Sequence, residues 1–238
     1  MPTFTLASFN ICSAHFREGK YTEDNLMSIA HHINQSGADV VCLQEVDRGA
    51  ARSDRVDMPS YLAEHTELKH HYFIKIRNFQ GGEYGTAILS RYPIQKSEIH
   101  PLDAEGHEPR AFGCVTVTLE DGDELCFVNT HLSYESIELQ NRQFDQLAKW
   151  MDEHIDQNIP TILTGDFNTE DFTQFSPLTE LGYALINHAD QTYRTFRNPP
   201  IAIDNIVYRT ACFTPEAQGM IDSNRSDHNL LWCRFEIK

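Results

Sequence analysis

Basic residues are scarce in this sequence: 19 Lys and Arg stand against 35 Asp and Glu, a formal net charge of −16. A protein that tracks a long phosphate backbone needs a basic face, because each contact is driven by counterion release. A local basic patch is compatible with this total, but the global field repels long polyanions. The balance favours a small or compact partner. Long apolar runs are also missing; none approaches the ~20 residues of a membrane-spanning helix. With 40% hydrophobic residues the composition is that of a soluble globular chain. The N-terminus, Met-Pro-Thr-Phe-Thr-Leu, has no basic region followed by a long apolar core, so no signal peptide and a cytoplasmic location are expected. There is no Cys-x-x-Cys. The cysteines at 12, 42, 114, 126, 212 and 233 are scattered, mostly within apolar runs. Buried free thiols in a reducing compartment are expected, rather than disulfides or zinc. Repeats, low-complexity tracts and linkers are absent, so residues 1–238 read as one domain, expected to be a monomer.

What is present is a recurring event: an apolar run that ends in residues suited to phosphate or a hard cation. The plainest case is Thr-Ile-Leu-Thr-Gly-Asp-Phe-Asn at 161–168. A buried strand anchors the backbone, Gly165 permits a close turn, and Asp166 and Asn168 leave on one side, since side chains alternate along an extended chain. Residues 4–9 read as a first strand followed by Asn10. Thr22 caps a helix whose first turn holds Glu23 and Asp24, with Leu26, Ile29, Ala30 and Ile33 on its apolar face and Gly37 as its stop. A continuous apolar strand, 38–43, then ends in Gln44-Glu45. Short strands are expected at 71–76 and 85–90, and a short helix at 61–66. A hairpin over 112–119 and 125–129 turns at Asp121-Gly122 and ends in Asn129-Thr130-His131. Prolines 93, 101 and 109 break the stretch before it. Residues 137–155 have helical spacing in Gln140, Phe144, Leu147 and Met151, and a helix near 171–181 stops at Gly182. A strand over 201–208 holds Asp204, and Ser226-Asp227-His228 precedes a last strand, 230–237. Sites assembled from several strand ends are how a rigid sheet holds catalytic groups.

The order of these motifs carries more than any one of them. Ser-Phe-Asn, Leu-Gln-Glu-Val, Tyr-Gly-Thr-Ala-Ile-Leu-Ser-Arg, Asn-Thr-His-Leu, Gly-Asp-Phe-Asn, Ile-Asp-Asn-Ile and Ser-Asp-His follow one another in that order, in a match that spans residues 8 to 232. This series closely resembles the endonuclease/exonuclease/phosphatase superfamily. The resemblance implies an α+β fold, a four-layer sandwich of two mainly antiparallel sheets flanked by helices, with the site at one end. It implies a divalent-metal-dependent phosphoesterase, usually using magnesium with manganese as a possible substitute. Glu45 matches the principal metal ligand, with Asn10 beside it and Asp227 completing the metal and water network. Asp166 matches the group that orients or deprotonates the attacking water, and Asn168 a partner on the phosphate or metal. His228 would contact a phosphoryl oxygen with its imidazole held by Asp204, and His131 would be a second phosphate-facing group.

The chemistry agrees with these residue types. A phosphodiester is already anionic, so water must be activated while charge builds on non-bridging oxygens. Magnesium prefers oxygen ligands and keeps several waters, and an Asp–His pair favours an imidazolium that can donate to phosphate. Whether His228 or Asp166 is the base stays open. Arg110 is either a substrate phosphate ligand or half of a surface ion pair. Arg48, Arg52 and Arg55 lie on a substrate-facing loop beside Glu45 or on a solvated one. Tyr193 to Phe196 either contacts substrate or anchors the core. Cys12 stands where apurinic endonucleases carry an acid, and Thr86 replaces a common asparagine. No apolar hairpin of the membrane-inserting kind is found. These departures weigh against DNA repair or a secreted lipase. The expected substrate is a small or lipid-derived phosphodiester or phosphomonoester. A nuclease is the alternative and a catalytically inactive binding module the third reading.

Overall fold

In the computed structural model, which describes residues 2–16, 19–119, 122–156, 158–188 and 193–238, two strand–helix–strand crossovers lay out the chain. Strand β1 (Thr3–Asn10) runs into helix α1 (Glu23–Ser36) and returns as β2 (Val40–Arg48). The Thr22 hydroxyl accepts from the Asn25 N–H, and Gly37 closes the helix at φ 64°, a left-handed turn that glycine adopts without a Cβ penalty. Strand β7 (Glu124–His131), helix α3 (Ile137–His154) and β8 (Thr161–Asp166) repeat the arrangement. Each crossover makes a parallel pair, β1 with β2 and β7 with β8; the other named pairings are antiparallel. A helix is the usual way to join parallel neighbours.

The remaining elements extend these pairs into two sheets. Helix α2 (Met58–His65) and strands β3 (His70–Phe79), β4 (Gly82–Ser90), β5 (Ile94–Leu102) and β6 (Arg110–Thr118) lie between the crossovers. After them come helix α4 (Ser176–Thr179), β9 (Tyr183–Leu185), a small hairpin of β10 (Phe196–Arg197) and β11 (Pro200–Ile201), β12 (Asp204–Arg209), β13 (Phe213–Ile221) and β14 (Leu230–Ile237). One sheet has the order β13-β14-β1-β2-β4-β3 and the other β5-β6-β7-β8-β12-β9. Alternation along the strands splits the apolar residues between faces. Ala7, Phe9, Val41 and Leu43 pack under α1 and α2. Leu6, Val40 and Cys42 meet Phe127, Ile162 and Ile206 between the sheets. Val128 and Leu163 pack under Phe144, Leu147 and Met151 of α3. The result is the four-layer sandwich, and the described cysteines are free thiols.

Several local expectations are corrected. Strand β5 runs through Pro101 and β13 through Pro215, beside a register shift, in stretches that read as broken or featureless. Both are edge strands, where a missing N–H is tolerated. The helix near 171–181 is a 3₁₀ turn at Phe172–Phe175 followed by a four-residue helix. The 201–208 segment divides into β11 and β12, so Asp204 opens a strand. Gly165 is not at a turn: it lies within β8 opposite Thr130 and Asn205, and a Cβ there would sit 2.4 Å from the Thr130 carbonyl oxygen. Asp121 of the expected hairpin turn lies outside the described residues.

Candidate active site at the strand ends

Pairing register brings the chemistry together. Asp166, the last residue of β8, stands opposite His131 of β7 on one side and Asp204 of β12 on the other. The Asp204 backbone is fixed in turn: its N–H donates to the Thr195 hydroxyl. In the other sheet, Asn10 ends β1 opposite Gln44. Glu45 does not end its strand. It sits inside β2, where the pairing with β4 shifts register between Leu43 and Val46, at φ 54°. A non-glycine residue in this left-handed region costs about 1–3 kcal/mol and persists only where its surroundings fix it. Asn129 helps, reaching across the sandwich to donate to the Leu43 and Ala87 carbonyls at 2.9 and 3.0 Å.

The side chains then form one buried network. Asp204 Oδ2 lies 2.7 Å from His228 Nδ1, and His228 Nε2 lies 3.6 Å from Asp166 Oδ2. His131 Nε2 is 3.5 Å from the same oxygen. The Asn10 amide nitrogen donates to Glu45 Oε1 at 3.1 Å and to Asp166 Oδ2 at 3.0 Å, while its oxygen accepts the Cys12 N–H. Asn10 therefore presents donors to the two carboxylates, where a metal ligand would present a lone pair. Ser226 clamps the final loop, donating to the Asn10 carbonyl and accepting the His228 N–H. Phe196 packs edge-on against His228 at 5.1 Å, so the 193–197 segment supports the histidine. Asn168 is also tied in: its N–H donates to Asp166 Oδ1 and its side-chain amide to the Leu132 carbonyl.

Burial and charge set the protonation states. Burial pushes the Glu45 carboxyl above its usual range, against the Asn10 hydrogen bond and the nearby His228. Asp166 is raised by burial and by the Asp204 charge. For His228 burial acts downward, but Asp204 and Asp166 together outweigh it and raise the imidazole to about 10. His131 moves the other way: burial, then the charges of Arg110 and His228, hold it well below its usual value. One imidazolium and one neutral imidazole thus face the same Asp166 oxygen.

The two candidate arginines differ. Arg110 is 3% exposed; one donor meets Glu108 at 3.3 Å, while its Nε and Nη1 are buried without a partner. Arg52 is occupied. Its Nε and Nη2 grip Asp47 at 2.7 and 2.8 Å, and Nη2 also donates to the Ser13 hydroxyl. Ser13 in turn donates to the Glu45 carbonyl at 3.0 Å, and Ser53 adds a short bond to the fully buried Asp47. This brace under Glu45 was missed by sequence reasoning. Only Asp47, an acid two residues beyond Glu45 and five before an arginine, hints at it.

The donor set suits a hard divalent cation. Glu45, Asp166, Asp204 and Asp227 offer oxygens, Asp204 Oδ1 is buried without a partner, and carboxylate oxygens of Asp166 and Asp204 lie within 4.8 Å of each other. Carboxylates raised by burial are relieved by a cation.

Comparison with known proteins gives the class. Residues 7–228 match the Endonuclease/Exonuclease/phosphatase family, and the chain belongs to it. Members of this family are typically hydrolases of phosphate esters and are generally dependent on divalent metals. Among particular relatives, the chain is 29% identical over 177 residues to the uncharacterized protein YbhP of Escherichia coli, covering 68% of this chain and 67% of the relative. The crystal structure of an endonuclease/exonuclease/phosphatase from Beutenbergia cavernae superposes with a TM-score of 0.84 at 22% identity, over 100% of this chain and 72% of that one. The human Nocturnin catalytic domain with bound sulfate gives 0.80 at 21% identity, over 100% and 94%. At these identities the structural likeness speaks for the fold alone.

Proposed function

We propose that this chain is a cytoplasmic, magnesium-dependent phosphoesterase that hydrolyses a small phosphodiester or phosphomonoester by attack of water. The observation that carries this reading is the buried Asp204–His228–Asp166 series, with Asn10 linking Asp166 to Glu45. Glu45 and Asp227 would hold Mg²⁺, with Mn²⁺ as a substitute, and the ion supplies positive charge where the phosphoryl oxygens gain negative charge. The chain's own residues do the rest. Asp204 fixes the imidazole of His228, which as imidazolium donates from Nε2 to a phosphoryl oxygen. Asp166 accepts a hydrogen bond from the attacking water and orients it. His131, neutral, and Asn168 line the same space, and Arg110 directs its unpartnered donors to a phosphate oxygen. Burial strengthens each of these interactions.

Small substrates are favoured over DNA or RNA by the arginines around Glu45. Arg48 pairs with Glu83, Arg52 with Asp47 and Arg77 with Glu108, so their charge is spent within the protein.

The test is hydrolysis of bis-p-nitrophenyl phosphate and p-nitrophenyl phosphate with magnesium, manganese or EDTA, alongside plasmid nicking. The expected result is metal-dependent ester cleavage without nicking, reduced about 10²–10⁴-fold in His228→Ala. Turnover that persists in EDTA, or nicking lost on Asp166→Ala, contradicts it.

A further inference from the structure

Among the described residues four large hydrophobic side chains are exposed: Met27, Ile99, Tyr134 and Ile137. Met27 belongs to α1 and Ile99 to the edge strand β5, but Tyr134 lies three residues beyond His131. It is 66% exposed, and its ring faces the Arg110 guanidinium with the Cζ 5.9 Å from the ring centroid. Arg110 opens β6 two residues before Phe112, which pairs with Thr130 next to His131, so the guanidinium that Tyr134 faces belongs to the strand end beside the catalytic groups, and its charge acts on His131. A buried guanidinium with two unsatisfied donors is costly. An anion that accepts from Nε and Nη1 completes it.

Resting on the phosphoesterase reading of the same site, we propose that Tyr134 is a specificity-determining wall on which a planar ring of the substrate stacks while Arg110 takes the adjoining phosphate. The substrate class is then a nucleoside or aryl phosphoester.

Size and shape separate this class from the others. An acyl lipid needs a contiguous apolar patch larger than the few hundred Å² that ordinary surfaces expose. Here one ring is presented beside the site, with Ile137 (63% exposed) the next exposed apolar side chain along. A polynucleotide needs several unpaired basic groups in a row, and Arg48, Arg52 and Arg77 are each paired with an acid. A single aromatic face next to one free guanidinium edge matches one ring and one phosphate.

The test is calorimetric binding of AMP, phenyl phosphate, glycerol 3-phosphate and glucose 6-phosphate to the whole chain with magnesium. The expected result is about tenfold tighter binding of AMP and phenyl phosphate. That preference should be lost in Tyr134→Ala and kept in Tyr134→Trp, with glycerol 3-phosphate changing less than about twofold. AMP bound more tightly than phenyl phosphate identifies a nucleoside; the reverse identifies an aryl ester. Equal affinities, tightest binding of glucose 6-phosphate, or a preference that survives Tyr134→Ala overturns the proposal. Ring preference without any ester hydrolysis would leave this proposal standing and defeat the phosphoesterase reading instead.

Discussion

His228 sits between two acids that act on it differently. Asp204 Oδ2 meets its Nδ1 at 2.7 Å and fixes the ring, while Asp166 faces its Nε2 at 3.6 Å, too far for a direct bond and wide enough to share a phosphoryl oxygen or water. If Asp204 works only through the imidazole, Asp204→Asn and His228→Ala remove the same contribution. Each single change should cost about 10²–10⁴ in kcat/KM, and the double variant should be within about tenfold of His228→Ala alone. Rate losses that simply multiply would show that the two residues act separately. His131 has the opposite character. It faces the same carboxylate yet is held neutral, so it can accept or donate one hydrogen bond without adding charge.

At the level of elements, strand β2 carries its strain at one residue, Glu45, at φ 54°. Its register shift turns Glu45 toward Asn10, and the brace of Ser13, Asp47, Ser53 and Arg52 keeps it there. Ser13 itself lies in a run, Cys12–Ala14, with φ of 47°, 45° and 57°, so the brace joins two strained backbones. Asp47→Asn should weaken the grip on Arg52 and lower unfolding stability by about 1–3 kcal/mol in urea denaturation. It should also weaken magnesium binding about 10–100-fold by titration, as loss of a ligand's outer support does. Unchanged magnesium affinity would reduce Asp47 to a folding residue.

This brace also shows what the sequence conceals. Apolar runs, the Thr22 cap and the Gly37 stop are local, and the core strands and both crossover helices were legible from them. Asp166, Asn168 and His228 stand out because they sit in short motifs, whose family order suggests the roles proposed for them. Edge strands β5 and β13 were not legible: each pairs with one neighbour, buries few of its residues and carries a proline, so apolar periodicity is weak. The bulge at Glu45 depends on a cross-strand register that no local pattern encodes. Arg52 was read as substrate-facing or solvated, because its contact with Ser13, 39 residues away, is invisible in one dimension. Gly165 reads as a turn residue in the sequence, but its missing Cβ serves the close approach to Thr130.

On the scale of the whole molecule, the acidic surplus penetrates to the site. Buried acids gathered around one imidazolium are a poor arrangement at neutral and higher pH unless a cation joins them, and no helix among the described residues is long and apolar enough to cross a membrane. The pH dependence follows from the shifts. His228 is raised from 6.5 to about 10, so its stabilising contribution is complete below 6.5 and disappears as pH rises through 10. Glu45 and Asp166 are raised as well, so folding favours their protonated forms and their contribution also declines with rising pH. His131, held low, acts only below its unfolded value. Between about pH 6.5 and 9, then, the metal-free chain should lose stability steadily. The decisive measurement is the melting temperature at pH 7 and pH 9, with and without magnesium, for the wild type and Glu45→Gln. The expected result is a lower Tm at pH 9 without metal, recovery of most of the loss with magnesium, and little recovery in Glu45→Gln. A Tm that rises with pH, or equal magnesium recovery in Glu45→Gln, would contradict it.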